Sequence, residues 1–492
     1  MWGTRAFKVI KAGLLVLAAG LACRESSDVR DRTPSPLPDR LVIGTRTEPR
    51  TLDPAFVRRA ADQEIVRLLF RDLTDFDDAW NLQPMLAAAL PQARSSTSGW
   101  VVDWSLRPGL RWSDGRPLTA ADIVFGHGVD ADPRWPTVNH QDARSVRKMV
   151  AVAPDHLRVF WRGGFADYRA PRVHTILPAH AYPTPTSDGS RFARFNDKPV
   201  SSGPYKIENW VSGQQVTLTV NSHWWGPSPQ IKTIVFRFLQ SEDALEAALL
   251  AGTIDAVGEA GGLSPDRALK LQPRLPASRR VVFTDSATRL GIEVRLDHPV
   301  LKRASIRHAL SAAIDRDRFA QVAYGGAARA AYGLFPPRHI AHDDAVESML
   351  WSEASKVLAG VDGRGLSLQF ASDSQAARQA AVFLQNRWAA AGLKVRLDGR
   401  PFSVLVDLLG QRKHGPLLLL ALRMRPDWDG SSVVRSDGRQ NYGGYADAEV
   451  DAWIDRAKTA TRTVEWRAEL RRIERRYRQD LPSIPLLYRK TV

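Results

Sequence analysis

Few residues in this 492-residue chain are spaced for chemistry. Histidine clusters with more than one adjacent carboxylate only in His342-Asp343-Asp344. No second histidine stands near enough to complete a metal ligand set, so this cluster reads as a solvated loop. Gly126-x-Gly128-x-x-Ala131 has the glycine spacing of a dinucleotide-binding loop. Such a loop must follow a strand, and the preceding Leu118–Phe125 reads as helix. There is no Walker A sequence, no nucleophile elbow and no His-Glu-x-x-His, and no spacing of Asp or Glu declares an acid–base pair. The single cysteine excludes intrachain disulfides, iron–sulfur clusters and cysteine-based zinc sites. The residues point to no enzyme, no cofactor and no metal.

Charge narrows the partners. The chain carries a formal +16 at pH 7, spread along its length. Arg471-Arg472 and Arg475-Arg476 interleave with Glu469 and Glu474 at helical spacing, which reads as a salt-bridged face and not as a DNA reader. The N-terminus adds a reason to exclude nucleic acid. Arg5, Lys8 and Lys11 precede the apolar run Ala12–Leu21, a charged region followed by an apolar stretch of secretory length, too short to span a bilayer. Gly20-Leu21-Ala22-Cys23 closes it with a small residue before the sole cysteine. This resembles a bacterial lipoprotein signal, with Gly20 where leucine is usual. Residues 1–22 are therefore expected to be a signal peptide and Cys23 the lipidated first residue of the mature chain. Residues 23–40, polar and bearing Pro34, Pro36 and Pro38, are expected to be an extended tether.

The elements that must position any site read as α/β. Leu41-Val42-Ile43-Gly44 opens as a strand, and Trp100, Val102, Trp104 and Leu106 alternate as in a half-buried one. Thr119 with Asp122 three residues on marks a helix start. Leu366–Phe370, the amphipathic Ala376–Ala391 and Leu393–Leu397 read as a βαβ crossover with Gly392 at the helix end, and Leu417–Leu422 as a further buried strand. Ile306–Ile314, Ala448–Ala457 and Val464–Arg478 read as helices.

Separated motifs carry a resemblance. Arg107-Pro-Gly-Leu-Arg-Trp112-Ser-Asp114-Gly115-Arg-Pro117-Leu-Thr119-Ala-Ala-Asp122 resembles a hallmark of bacterial extracellular solute-binding proteins of family 5, the oligopeptide, dipeptide and nickel class. Ser202-Gly203-Pro204-Tyr205 with Trp210, Gly213 and Trp224-Trp225 is similar to its second signature. Ile306-Arg307-His-Ala-Leu310 through Asp315-Arg316 is similar to its third. Asn441-Tyr-Gly-Gly-Tyr445 with Asp480-Leu-Pro482-Ser-Ile-Pro485, and Glu48-Pro49-Arg50-Thr51-Leu52-Asp53-Pro54, fit as well. Most signature residues read as structural, because glycine and proline there set turns and tryptophan fills cores.

The resemblance implies a two-lobed periplasmic-binding-protein-like fold, class II, with an inserted domain in the first lobe. The implied base domain is 41–78, 195–275 and 476–492, the inserted domain 79–194 and the second lobe 276–475. Hinges are implied near Phe283–Leu290 and near Arg476. It further implies capture of a peptide or peptide-like solute between the lobes and delivery to an ABC permease and ATPase complex. The protein would be a monomer, held at the membrane of the periplasm or cell envelope by its lipid. An envelope sensor without an import role, or a binder of a non-peptide ligand, stands as the alternative. The site implied is Asp427 with Trp428 in the second lobe, where Asp427 would take a ligand amine. Glu48 and Arg50 belong to the first lobe. Arg423 and Arg425 depart from the family pattern and point instead to carboxylates or phosphate.

Overall fold

The computed structural model describes residues 39–491 apart from 97–98, 136, 162–174, 183–194, 196–198, 260, 344–349, 426 and 461. The signal peptide, Cys23 and the tether as far as residue 38 lie outside the described residues.

Two principal sheets organise the chain. The first has five strands in the order Ala256–Val257, Arg40–Thr45, Thr233–Phe238, Gln215–Val220 and Tyr205–Val211. Arg40–Thr45 runs parallel to both neighbours, with Val42 opposite Val235, and the remaining strands pair antiparallel. A parallel neighbour needs a crossover. The helix Glu242–Leu250 makes the crossover from Thr233–Phe238 to Ala256–Val257, the two strands flanking Arg40–Thr45, and is capped by the Ser241 hydroxyl, which accepts the Ala244 amide at 3.1 Å.

An antiparallel sheet is inserted before Tyr205, in the order Ala93–Ser96, Gly99–Ser105, His156–Trp161 and Val146–Ala153. The alternation in the sequence holds here: Val102, Trp104 and Leu106 are buried. One continuous apolar core joins Val102, Trp104 and Trp161 of this sheet to Val216, Leu218 and Phe236 of the first. The helix Ala120–Ala131 closes over it. Asp122 accepts the Thr119 amide at 2.9 Å, the Trp112 indole N–H at 3.3 Å and the Ala179 amide at 3.0 Å. The capping residue of the first signature thus also fixes the buried tryptophan of that signature. Gly126 and Gly128 lie inside this helix, which disposes of a dinucleotide loop. A Cβ on Gly126 would stand 1.9 Å from the Thr175 carbonyl oxygen, so the glycine is there for close packing.

The second sheet has six strands in the order Ala328–Ala330, Ser483–Thr491, Thr284–Val294, Leu417–Arg423, Ser367–Ala371 and Arg396–Arg400. The βαβ unit is present, with Gln375–Ala390 as its helix and Ser367 paired parallel to Arg396. Its second strand begins three residues later than the hydrophobic pattern implied. Gly392 takes the left-handed conformation at φ 90°, and Leu393 and Val395 are buried before strand pairing starts. Leu417–Arg423 joins parallel to Ser367–Ala371.

The C-terminal segment requires a correction. Residues 476–492 were expected to return to the first lobe, with a hinge near Arg476. Arg476 instead lies within the helix Thr463–Asp480, and Ser483–Thr491 pairs antiparallel with Thr284–Val294 in the second sheet. Burial explains it: Ile484, Leu486 and Leu487 join the second-lobe core, and buried Tyr488 donates its hydroxyl to the Gly333 and Phe335 carbonyls. The helix face reads as expected where acids are in reach. Arg472 pairs with Glu469 at 2.9 Å, Arg478 with Glu474 at 2.7 Å and Arg476 with Glu449.

Candidate ligand-binding site

The six side chains singled out in the sequence lie at the carboxyl ends of two strands, Arg40–Thr45 and Leu417–Arg423, and in the loops that follow them. In open α/β sheets that is where ligand crevices form. The first-lobe loop leaves Thr45 and is held by its own polar groups. The Glu48 carboxylate accepts the Trp210 indole N–H at 3.0 Å and the Gly213 amide at 3.1 Å, while the Arg59 guanidinium donates to the Glu48 carbonyl at 3.2 Å. The Arg50 amide donates to buried Asp62 at 2.9 Å, and its side chain is exposed. Just beyond, Asp53 is fully buried and accepts the Ala55 amide at 3.0 Å and the Tyr182 hydroxyl at 2.6 Å. Burial pushes its carboxyl up to about 6, and the nearby Asp130 charge adds to the rise.

The second-lobe loop leaves Arg423, which is exposed at the end of its strand. The Met424 amide then donates to the Ala287 carbonyl at 2.7 Å. Asp427 is engaged by its near neighbour: Arg425 Nε and an Nη donate to its two oxygens at 2.9 and 2.7 Å. The Asp427 side chain is 12% exposed against 54% for Arg425. Trp428 is half-buried, and its indole N–H donates to Ser432 Oγ at 3.0 Å.

Sequence reasoning missed the support beneath Trp428. His339 Nδ1 accepts the Ala341 amide at 3.1 Å, which leaves the proton on Nε2 to donate to the Trp428 carbonyl at 2.8 Å. The imidazole stacks on Phe335 at 4.4 Å, and Phe335 meets Trp428 edge-on at 5.7 Å. Burial depresses His339 to about 3, so it stays neutral. Buried Glu474 pins this segment by accepting the Leu334 and Phe335 amides at 3.0 and 3.3 Å. Burial raises the Glu474 carboxyl despite its pairing with Arg478. No spacing pattern marks His339; the only signal was an aromatic and a histidine four residues apart.

The loops between the two sheets also touch. Arg338, beside this support, donates to the Asp78 carbonyl at 2.8 Å in the turn between the paired strands Thr74–Phe76 and Leu82–Pro84. Its Nε lies 3.9 Å from Asp285. Among the described residues no group of three His, Cys, Asp or Glu could hold a metal ion, and no helix is long and apolar enough to cross a membrane.

The model described as bacterial extracellular solute-binding proteins, family 5 Middle, matches residues 81–436. The chain belongs to this family. Family 5 membership agrees with the comparisons over nearly the whole chain. Protein XP55 of Streptomyces lividans is 26% identical over 466 residues, covering 90% of this chain and 82% of that protein. The oligopeptide-binding protein AppA of Bacillus subtilis is 23% identical over 478 residues, covering 91% and 86%. The crystal structure of the ABC transporter substrate-binding protein CtaP from Listeria monocytogenes superposes with a TM-score of 0.81 at 22% identity, covering 92% of this chain and 93% of that one. The fold is therefore the two-lobed one of solute-binding proteins. The signature residues of family 5 act mostly as structure here, as Trp112, Asp122 and Gly203 show. Gly203 sits so close to Leu68 and Leu69 that a Cβ would meet the Leu68 carbonyl oxygen at 2.6 Å.

Proposed function

We propose that the chain is the capture component of an ABC importer for a peptide or peptide-like solute. The supporting observation is the family match over residues 81–436, joined to two rigidly held loops at the strand ends of the two sheets. On this reading the solute lies between the Glu48–Asp53 loop and the Arg423–Trp428 loop. Touching both lobes, it stabilises their closed arrangement, because a ligand shifts an equilibrium by its differential affinity for the two states. The closed protein docks on a membrane permease, and an ATPase elsewhere drives transport. No step requires catalysis or a cofactor.

The same reading includes a lipid on Cys23, a tether through residue 40, a place in the periplasm or cell envelope and a monomeric state. Native mass spectrometry of gently purified protein tests the capture role. A co-purified solute of peptide-like mass supports it; a solute with no peptide-like bond overturns the peptide assignment. Changing Cys23 to Ser tests the anchor. The variant should move from the membrane to the soluble envelope fraction, and retention of lipid labelling would contradict it.

A further inference from the structure

Both loops divide their charges in the same way. Each spends its carboxylate inside its own lobe and leaves an arginine over. In the first lobe Glu48 is satisfied by Trp210 and Gly213. In the second, both oxygens of Asp427 are taken by Arg425, and Asp429 accepts the Ser431 amide and hydroxyl at 2.9 and 2.6 Å. Asp53 is buried against Tyr182. Arg50 and Arg423 are exposed, and among the described residues neither side chain makes an ion pair or hydrogen bond. Arg50 follows the carboxyl end of the parallel strand Arg40–Thr45, and Arg423 is the last residue of its own strand, opposite Thr288. A ligand amine seeking Asp427 would have to displace a bidentate guanidinium, the strongest common arrangement for a carboxylate. A ligand carboxylate needs no displacement at either arginine.

We infer that the captured solute is anionic, with carboxylates received by Arg423 and Arg50, and that Asp427 is not an amine receptor. The guanidinium fork matches a carboxylate in two parallel hydrogen bonds, which sets direction as well as strength. Asp427 then serves to hold Arg425 and the turn into Trp428. This inference rests on the reading that a peptide-like solute lies between these loops, and the test separates the two.

Calorimetry with the folded, solute-stripped protein uses four probes: triglutamate, trialanine, trilysine and inorganic phosphate. Triglutamate should bind more tightly than trialanine, with trilysine weakest, and added salt should weaken it. R423Q and R50Q should each lower triglutamate affinity by about thirtyfold or more, the usual consequence of removing one partner of a desolvated pair. Neither should shift the melting temperature of the empty protein. D427N, which releases Arg425 and loosens the turn, should cost triglutamate far less than either arginine change. Trilysine binding tightest, a large loss in D427N alone, wild-type affinity in both arginine variants, or no binding by triglutamate or phosphate would each overturn the inference. Phosphate binding that is lost in R423Q, without any peptide binding, would uphold the anionic class and sink the peptide reading.

Discussion

Asp53 and His339 are buried titratable groups with opposite consequences for stability. Asp53 has its carboxyl raised to about 6, above its ordinary value of 3.8, so the folded state holds the proton more tightly than the unfolded chain. Its contribution therefore grows as pH falls through 6 and is complete below 3.8, where it reaches about 3 kcal/mol at roughly 1.4 kcal/mol per unit. His339 is depressed from 6.5 to about 3, so the unfolded chain protonates first and stability is lost as pH falls below 6.5. Only the difference between wild type and a variant reads either group. From pH 7 to pH 5, wild type should gain about 1 kcal/mol relative to Asp53→Asn in denaturant titrations and lose about 2 kcal/mol relative to His339→Gln. Parallel pH curves for wild type and variant would contradict the burial argument. At this scale the sequence showed which residues to inspect but not their state. Asp427 stood out by its neighbours, yet its pairing with Arg425 depends on a turn conformation that residue types leave open. His339 was invisible because its environment comes from Phe335, Trp428 and Trp466, up to 127 positions away in the chain.

Elements were more legible, because periodicity and capping are local. The strand Gly99–Ser105, the helix begun by Thr119 and the first strand and helix of the βαβ unit appeared where alternation and caps placed them. The misplaced start of Arg396–Arg400 has a local cause as well: buried apolar residues mark a core-facing linker as readily as a strand. The helix Ala120–Ala131 offers a paired test. Alanine ordinarily stabilises a helix interior by about 1 kcal/mol over glycine. Gly128→Ala should do so, since nothing lies within 4 Å of its added Cβ. Gly126→Ala should destabilise instead, by about 2 kcal/mol or more, because backbone 1.9 Å away must move. Equal melting shifts for the two variants would refute the close approach to Thr175.

Whole-molecule arrangement was the least legible scale. The family motifs imply two lobes, and the structure has two sheets with separate cores, Leu52 through Phe236 in one and Leu290 through Leu487 in another. The C-terminal strand was misassigned because its apolar pattern fits either sheet, and only pairing with Thr284–Val294 decides. Contact between the lobes through Arg338 and Asp78 has no sequence signal at all. Arg338→Ala should widen the distance distribution between spin labels placed on the two lobes of the empty protein; an unchanged distribution would show that this contact does not restrain opening. The central claim is capture by closure, and small-angle scattering reads it most directly. Protein stripped of solute by unfolding and refolding should show a smaller radius of gyration after addition of its own co-purified solute, with a melting temperature that rises with solute concentration. A solute that binds and stabilises the protein while leaving the radius of gyration unchanged would contradict the account.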